Sequence, residues 1–469
     1  MKQLIVLILI LTTFFSCNNK ENSCGQAYLG GEIINPNNDY LKLYEGSKFI
    51  DTIYLDENNR FSYLIESLNP GLYTISHGGE AQFAVIEPND SLMIRLNTFD
   101  FDESFVHSGR GAKKNNYLIN LFLSLNKEDR AVYNYSKLDP RLFMEKLDSM
   151  KTERYHSLNS FNDRYNTSDL FKKISKLSID FSYYRRKEIY PLNHFGNNTP
   201  IHVEDLPEGY YDFRKHIDYN DEELTEFYPF YYFLFNHFNN LASEKYYIDT
   251  NDSILVRTNV NYNLNKLELI DNLVNSEVIK NILLKYSTSN FLSKSESFKD
   301  SELMYNSYTE KNTDKDNAEY ITNLFNTIKR LKPGNVLPEV EVYNHKNKSS
   351  TLNSIINKPT ILYFWSNANK HHYKSSHEKV DEFRLAYPEV DFISLNINSN
   401  NTSVWRRLLK QNDFDSNYEY RFKNPQVAKK LLAIQYINKV IIVDKDGNIV
   451  TSNEDLFSKD FKYLLHELK

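Results

Sequence analysis

The sequence predicts a multi-domain α+β protein: an N-terminal antiparallel β-sandwich over residues 27–110, a helical middle region over 111–331, and a C-terminal α/β domain over 332–469. Three observations carry this. Strand-forming runs separated by turn clusters recur at short, regular intervals before residue 100. From Asn115 onward, apolar residues return at i, i+3 and i+4 spacing. After Lys332-Pro333-Gly334, apolar runs alternate with amphipathic stretches. A chain of 469 residues is also too long for one ordinary core.

In the first region the runs are Leu41–Tyr44, Thr52–Leu55, Phe61–Tyr63, Gly71–Ile75, Gln82–Ile86 and Leu92–Leu96. Turn formers divide them, among them Asn35-Pro36-Asn37-Asn38, Asn69-Pro70-Gly71 and Glu87-Pro88-Asn89-Asp90. In the second, Tyr117-Leu118-Leu121-Phe122, Leu142-Phe143-Leu147-Met150, Leu267-Ile270-Val274 and Ile321-Leu324-Phe325-Ile328 mark helices, with loops near Asn193–Glu208 and Thr313–Asn317. The aromatic run Tyr228–Phe235 reads as a buried helix, with an exposed binding platform as the alternative. In the third, Thr360–Trp365 and Val390–Asn396 are strands and Lys370–Ala386 a helix. Val404–Lys410 and Val427–Leu432 follow as helices, Val440–Val443 and Asn448–Val450 flank a Lys445-Asp446-Gly447 turn, and Lys459–Leu468 closes the chain as a helix.

Charge is nearly balanced, with 56 Lys+Arg against 62 Asp+Glu, which gives no footprint for nucleic acid. The clusters Arg110–Lys114 and Arg185-Arg186-Lys187 read as solvated faces. Met1-Lys2 precedes an apolar run, Leu4–Phe15, too short to cross a bilayer as a helix. It reads as a signal peptide over 1–16. The sequence Phe14-Phe15-Ser16-Cys17 resembles the lipobox of bacterial lipoproteins in the loose form common in Bacteroidetes, with Phe14 departing from the usual leucine. That resemblance implies an acylated Cys17 as the mature N-terminus and a lipidated tether over 17–26. The chain has two cysteines in all, so Cys24 on that tether is left without a partner in the same molecule. The expected setting is the cell envelope: lipid-anchored, facing the periplasm, the outer membrane favoured over the inner.

The approach Pro333–Pro338, the strand Thr360-Ile361-Leu362-Tyr363-Phe364-Trp365 and the hairpin Ile441–Val450 resemble the TlpA/ResA-like thioredoxin-fold family of exported disulfide oxidoreductases. The phrases Asn69–Tyr73, Glu87–Leu92 and Val106–Gly109 resemble an all-β domain found at the N-terminus of Bacteroidetes lipoproteins of that type. The family places Cys-x-x-Cys at a helix start, where the helix dipole lowers the first thiol's pKa. Here those positions hold Asn369 and His372, and the position of the family's cis-proline holds Asn438. A cis bond before a non-proline residue costs ~3–4 kcal/mol, so a trans bond is expected.

With sulfur missing, neither thiolate attack nor resolution of a mixed disulfide is available at that place. The expectation is a redox-inactive thioredoxin-like domain that binds a peptide, a protein or another ligand in its groove, through Trp365, Asn369, His372 and Asn438. Free amides at the helix start are candidates for holding an anion. Two alternatives stay open: an oxidoreductase of the same type working through a non-standard site, and a scaffold component of an envelope complex. His371, His372 and His377 splay around a helix rather than sharing a face, so no metal site is assigned and the trio is expected exposed or partly packed. No cofactor is expected. The envisaged partners are the membrane, through the N-terminal lipid, and an envelope protein or peptide.

Overall fold

The computed structural model describes residues 25–46, 48–295, 297–398 and 402–468. Cys17, Cys24, the expected signal peptide and most of the expected tether lie outside the described residues.

Two four-stranded sheets form the N-terminal sandwich: β1 (Gly25–Ile34), β4 (Arg60–Leu68), β7 (Ser91–Asn97) and β8 (Val106–Arg110) in the order β4-β1-β7-β8, and β2 (Tyr40–Glu45), β3 (Lys48–Tyr54), β5 (Gly71–His77) and β6 (Glu80–Ile86) in the order β3-β2-β5-β6. Alternation decides the inner face. In β7, Leu92, Ile94 and Leu96 are buried while Met93 and Arg95 face out. They meet Leu29, Ile33, Leu41, Leu43 and Ile75 in one core. The sheets are antiparallel with one exception, because β1 and β7 run parallel with Tyr28 opposite Ser91. A parallel pair needs a crossover connection, and the strands between β1 and β7 supply it. Alternation reveals which side chains turn inward and leaves strand direction open. The close approach in this pair requires Gly31, where a Cβ would stand 2.0 Å from the Ile94 carbonyl oxygen.

The middle region is helical: Ala112–Tyr135, Pro140–Tyr165, Asp169–Phe195, Tyr228–Thr250, Val260–Leu273, Glu277–Leu292, Phe298–Lys311 and Lys315–Arg330. Side chains of Asp139, Ser168, Asn259, Ser276, Ser297 and Asp314 accept from first-turn amides, which sets where six of these helices begin. Asn115 fixes the first helix to the sandwich, its amide group bonded to both the N–H and the C=O of Val85. Pro191 sits inside Asp169–Phe195 and cannot donate to the carbonyl of Lys187; the Tyr210 hydroxyl donates to it instead, at 2.9 Å. In the aromatic run, Phe230, Phe233 and Leu234 are fully buried against Phe181 and Phe213, and Tyr232 alone among its large residues is exposed. Arg186 overturns the expectation of a solvated face. It is buried and bonded to Glu128, Asp129 and the Leu125 carbonyl, because the neighbouring helix presents carboxylates that a linear charge cluster does not reveal.

The C-terminal domain is a seven-stranded mixed sheet: β9 (Glu341–Asn344), β10 (Ser349–Thr351), β11 (Thr360–Trp365), β12 (Asp391–Asn396), β13 (Glu419–Phe422), β14 (Lys439–Val443) and β15 (Ile449–Asp455), in the order β10-β9-β13-β12-β11-β14-β15. β11 is an interior strand and every one of its side chains is buried. It pairs parallel with β12 and antiparallel with β14. One sheet face packs on helices Lys370–Ala386 and Phe461–Glu467 through Ile361, Tyr363, Val380, Phe383 and Leu465. The other, with Leu362, Phe364, Leu395 and Ile441, joins the apolar core of the middle helices. No described helix is long and apolar enough to cross a membrane.

Candidate functional site

β11 ends at Trp365, and the chain turns through Ser366–Asn369 into the helix Lys370–Ala386. This turn is held by amides. Asn367 N–H donates to the Asn398 side-chain oxygen at 3.0 Å, and Asn396 Nδ2 donates to Asn367 Oδ1 at 2.8 Å. Asn369 is the N-cap of the helix, its Oδ1 accepting from His372 N–H at 3.0 Å. The first of the two positions expected for sulfur therefore carries an exposed capping side chain, which already satisfies one of the amides that an anion would need.

His372, the second of those positions, is turned inward and only 7 % exposed. Its ring meets Phe457 edge-on, with centroids 5.9 Å apart. Burial lowers its pKa below the usual imidazole value, against the opposing effect of the facing Asn438 amide. Neither ring nitrogen finds a partner of good hydrogen-bond geometry. Asn438 sits just before β14, where its carbonyl accepts from Leu456 N–H at 3.0 Å. The described chain contains no cis peptide bond. So His372 and Asn438 share one place, with Asn369 at the cap beside them and His371 exposed to solvent.

Trp365 does not belong to that surface. It is fully buried, its indole N–H donating to Ser394 Oγ at 2.7 Å, with Tyr373 and His377 packed edge-on against the ring. As the last residue of a strand covered on both faces, it has no route to solvent. His377 also departs from the expected exposure: it is 3 % exposed and stacked on Phe414 at 3.6 Å. Its Nδ1 lies 2.6 Å from the Tyr373 carbonyl and its Nε2 3.0 Å from Glu419 Oε1, while Ser394 donates to Glu419 Oε2 at 2.7 Å.

Serine, histidine and glutamate together invite comparison with a nucleophilic triad, but the geometry is wrong for one. A triad places the acid on one ring nitrogen and the hydroxyl on the other. Here Ser394 and Glu419 both approach Nε2, and Ser394 is wholly buried. The cluster is a structural clamp joining helix Lys370–Ala386 to β12 and β13, beneath the turn Ser366–Asn369. Ser394 and Glu419 were invisible as partners in the sequence, since Ser394 lies in an apolar run, Glu419 in a mixed polar one, and neither pattern reports a pairing between strands. Among the described residues no group of three His, Cys, Asp or Glu side chains is placed to hold a metal.

Residues 357–449 match a family model described as thioredoxin-like. No curated protein matches the chain. Among solved structures, the thioredoxin domain of a thiol-disulfide oxidoreductase from Bacteroides vulgatus is 17% identical, with 29% of this chain and 96% of that one covered at a TM-score of 0.25. A thiol:disulfide interchange protein from Bacteroides sp. is 18% identical, covering 26% of this chain and 81% of that one, TM-score 0.24. A thioredoxin-like protein from Bacteroides caccae is 10% identical, covering 45% and 77%, TM-score 0.33. The C-terminal domain is thioredoxin-like, and the chain as a whole is a mixed α+β protein.

Proposed function

We propose that this chain is a lipid-anchored protein of the cell envelope whose thioredoxin-like domain has lost dithiol chemistry and works by binding an extended peptide or protein segment where His372 and Asn438 meet. The observation that carries this reading is the chemistry at the helix start. A disulfide exchanger needs a thiolate there and a second sulfur three residues on. In this chain the first position is Asn369, engaged as the helix cap, and the second is His372, an inward-turned imidazole. An amide and an imidazole still suit binding, because both hydrogen-bond to extended backbone without making or breaking a bond.

The second reading is an oxidoreductase of the family's usual type acting in trans, favoured by the thioredoxin-like match over residues 357–449 and by the free thiol of Cys24. Insulin reduction separates the two. The full chain and its Cys24→Ser variant should both turn over insulin no faster than the reductant alone. Robust turnover that disappears with Cys24→Ser would establish the second reading and remove the first.

A further inference from the structure

Away from the altered site, a cavity of about 340 Å³ opens between the last helices of the middle region and the β14–β15 hairpin. Its volume suits a small organic molecule. Its apolar lining is Leu292, Phe298, Ile328 and Leu331. Lys439, Lys332 and Asn453 also line it, and no carboxylate is among the described lining residues.

Ser293, Ser295 and Ser301 donate their hydroxyl protons to backbone carbonyls. Two nitrogen donors on the lining are short of acceptors. Asn453 Nδ2 is buried with no partner. Lys439 is 2 % exposed, and its ammonium donates to one acceptor, the Ala433 carbonyl at 3.0 Å. Lys332 lies over the face of the Phe298 ring at 3.4 Å. A buried ammonium is normally matched by a carboxylate, because removing the charge from water costs several kcal/mol. Burial without such a match pushes Lys439 down to about 7.

The geometry points to this cavity as a binding site for a small organic carboxylate with an apolar body, its anionic head on Lys439 and Asn453 and its carbon chain against Leu292, Phe298 and Ile328. The carboxylate supplies the acceptor lone pairs that Asn453 lacks and the counter-charge that Lys439 lacks. A neutral amide of the same shape offers Asn453 a carbonyl acceptor but gives Lys439 no counter-charge.

Calorimetric titration of the full chain with octanoate and with octanamide, at a pH near 6 where Lys439 keeps its proton, tests the site. Octanoate should bind saturably and octanamide about ten-fold more weakly or worse, a difference of about 1.4 kcal/mol. Lys439→Met should erase that preference, with its circular dichroism unchanged. Asn453→Leu, which keeps the ammonium, should weaken octanoate and octanamide alike and leave the preference for the acid in place. Equal binding of acid and amide, full octanoate affinity in both variants, or no saturable octanoate binding to the folded chain would each overturn the assignment.

Discussion

Replacing Glu188 with alanine should lower the free energy of unfolding by about 3–5 kcal/mol, the cost of stranding a buried charge. Glu188 is fully buried in the helix Asp169–Phe195, and its carboxylate accepts four hydrogen bonds: from Arg214 Nε at 2.8 Å and Nη2 at 2.6 Å, from His237 at 2.8 Å, and from Asn240 Nδ2 at 2.6 Å. Burial alone would raise this carboxyl; Arg214 and His237 outweigh it and hold Glu188 down at about 2. Without it, Arg214 keeps Glu244 at 3.1 Å and the Tyr211 ring, but loses its planar, two-point partner. Because the folded pKa is depressed, this contribution is complete above the unfolded value near 4.5 and is lost as pH falls through about 2. Urea titration checks both points. The acid-side slope should flatten in Glu188→Ala, and the double variant Glu188→Leu/Arg214→Met should lose less stability than Glu188→Ala. A double variant worse than the single would contradict the account of a stranded cation.

The second large effect lies beneath the turn Ser366–Asn369. Glu419→Ala should cost about 3 kcal/mol, since it leaves His377 Nε2 and the Ser394 hydroxyl without their acceptor in a dry interior. The Ser394 oxygen is 3.5 Å from His377 Nε2, so partial re-pairing keeps the cost below that expected for Glu188. Local order should suffer more than global stability. Trp365 is bonded to Ser394, and only Trp365 and Trp405 provide indole signals in this chain. The near-ultraviolet circular dichroism of Trp365 should therefore collapse toward that of a mobile ring at temperatures where far-ultraviolet signal is intact. Unchanged indole bands in Glu419→Ala would mean that the clamp does not position the floor of the site.

These two clusters mark where sequence reasoning stops. The run Thr360–Trp365 was legible because a strand covered on both faces is continuously apolar. The middle helices were legible from their apolar spacing, and counting on from Phe364-Trp365 led to a helix start at Asn369, where the structure has the N-cap. β1 was hidden by its glycines, Gly30 and Gly31, whose value lies in how closely they let β7 approach. β13 was hidden because Glu419 and Arg421 point inward, the first bonded to His377 and Ser394, the second through Nη2 to Asn347 and Thr402. Arg186 misled for the same reason: its partners lie on another helix, and no local pattern reports a pairing across tens of residues. Trp365 was misplaced into the groove because strand alternation cannot say which end residue is roofed by the next helix.

An array of extended, alkylated decapeptides, unable to exchange disulfides, probes the altered surface most directly. The full chain should retain a subset of them, and both His372→Ala and Asn438→Ala should weaken retention about ten-fold or more while the far-ultraviolet circular dichroism stays that of the folded chain. Retention that ignores both substitutions, or no retention of any peptide by the folded chain, would contradict a thioredoxin-like domain that has exchanged bond chemistry for binding.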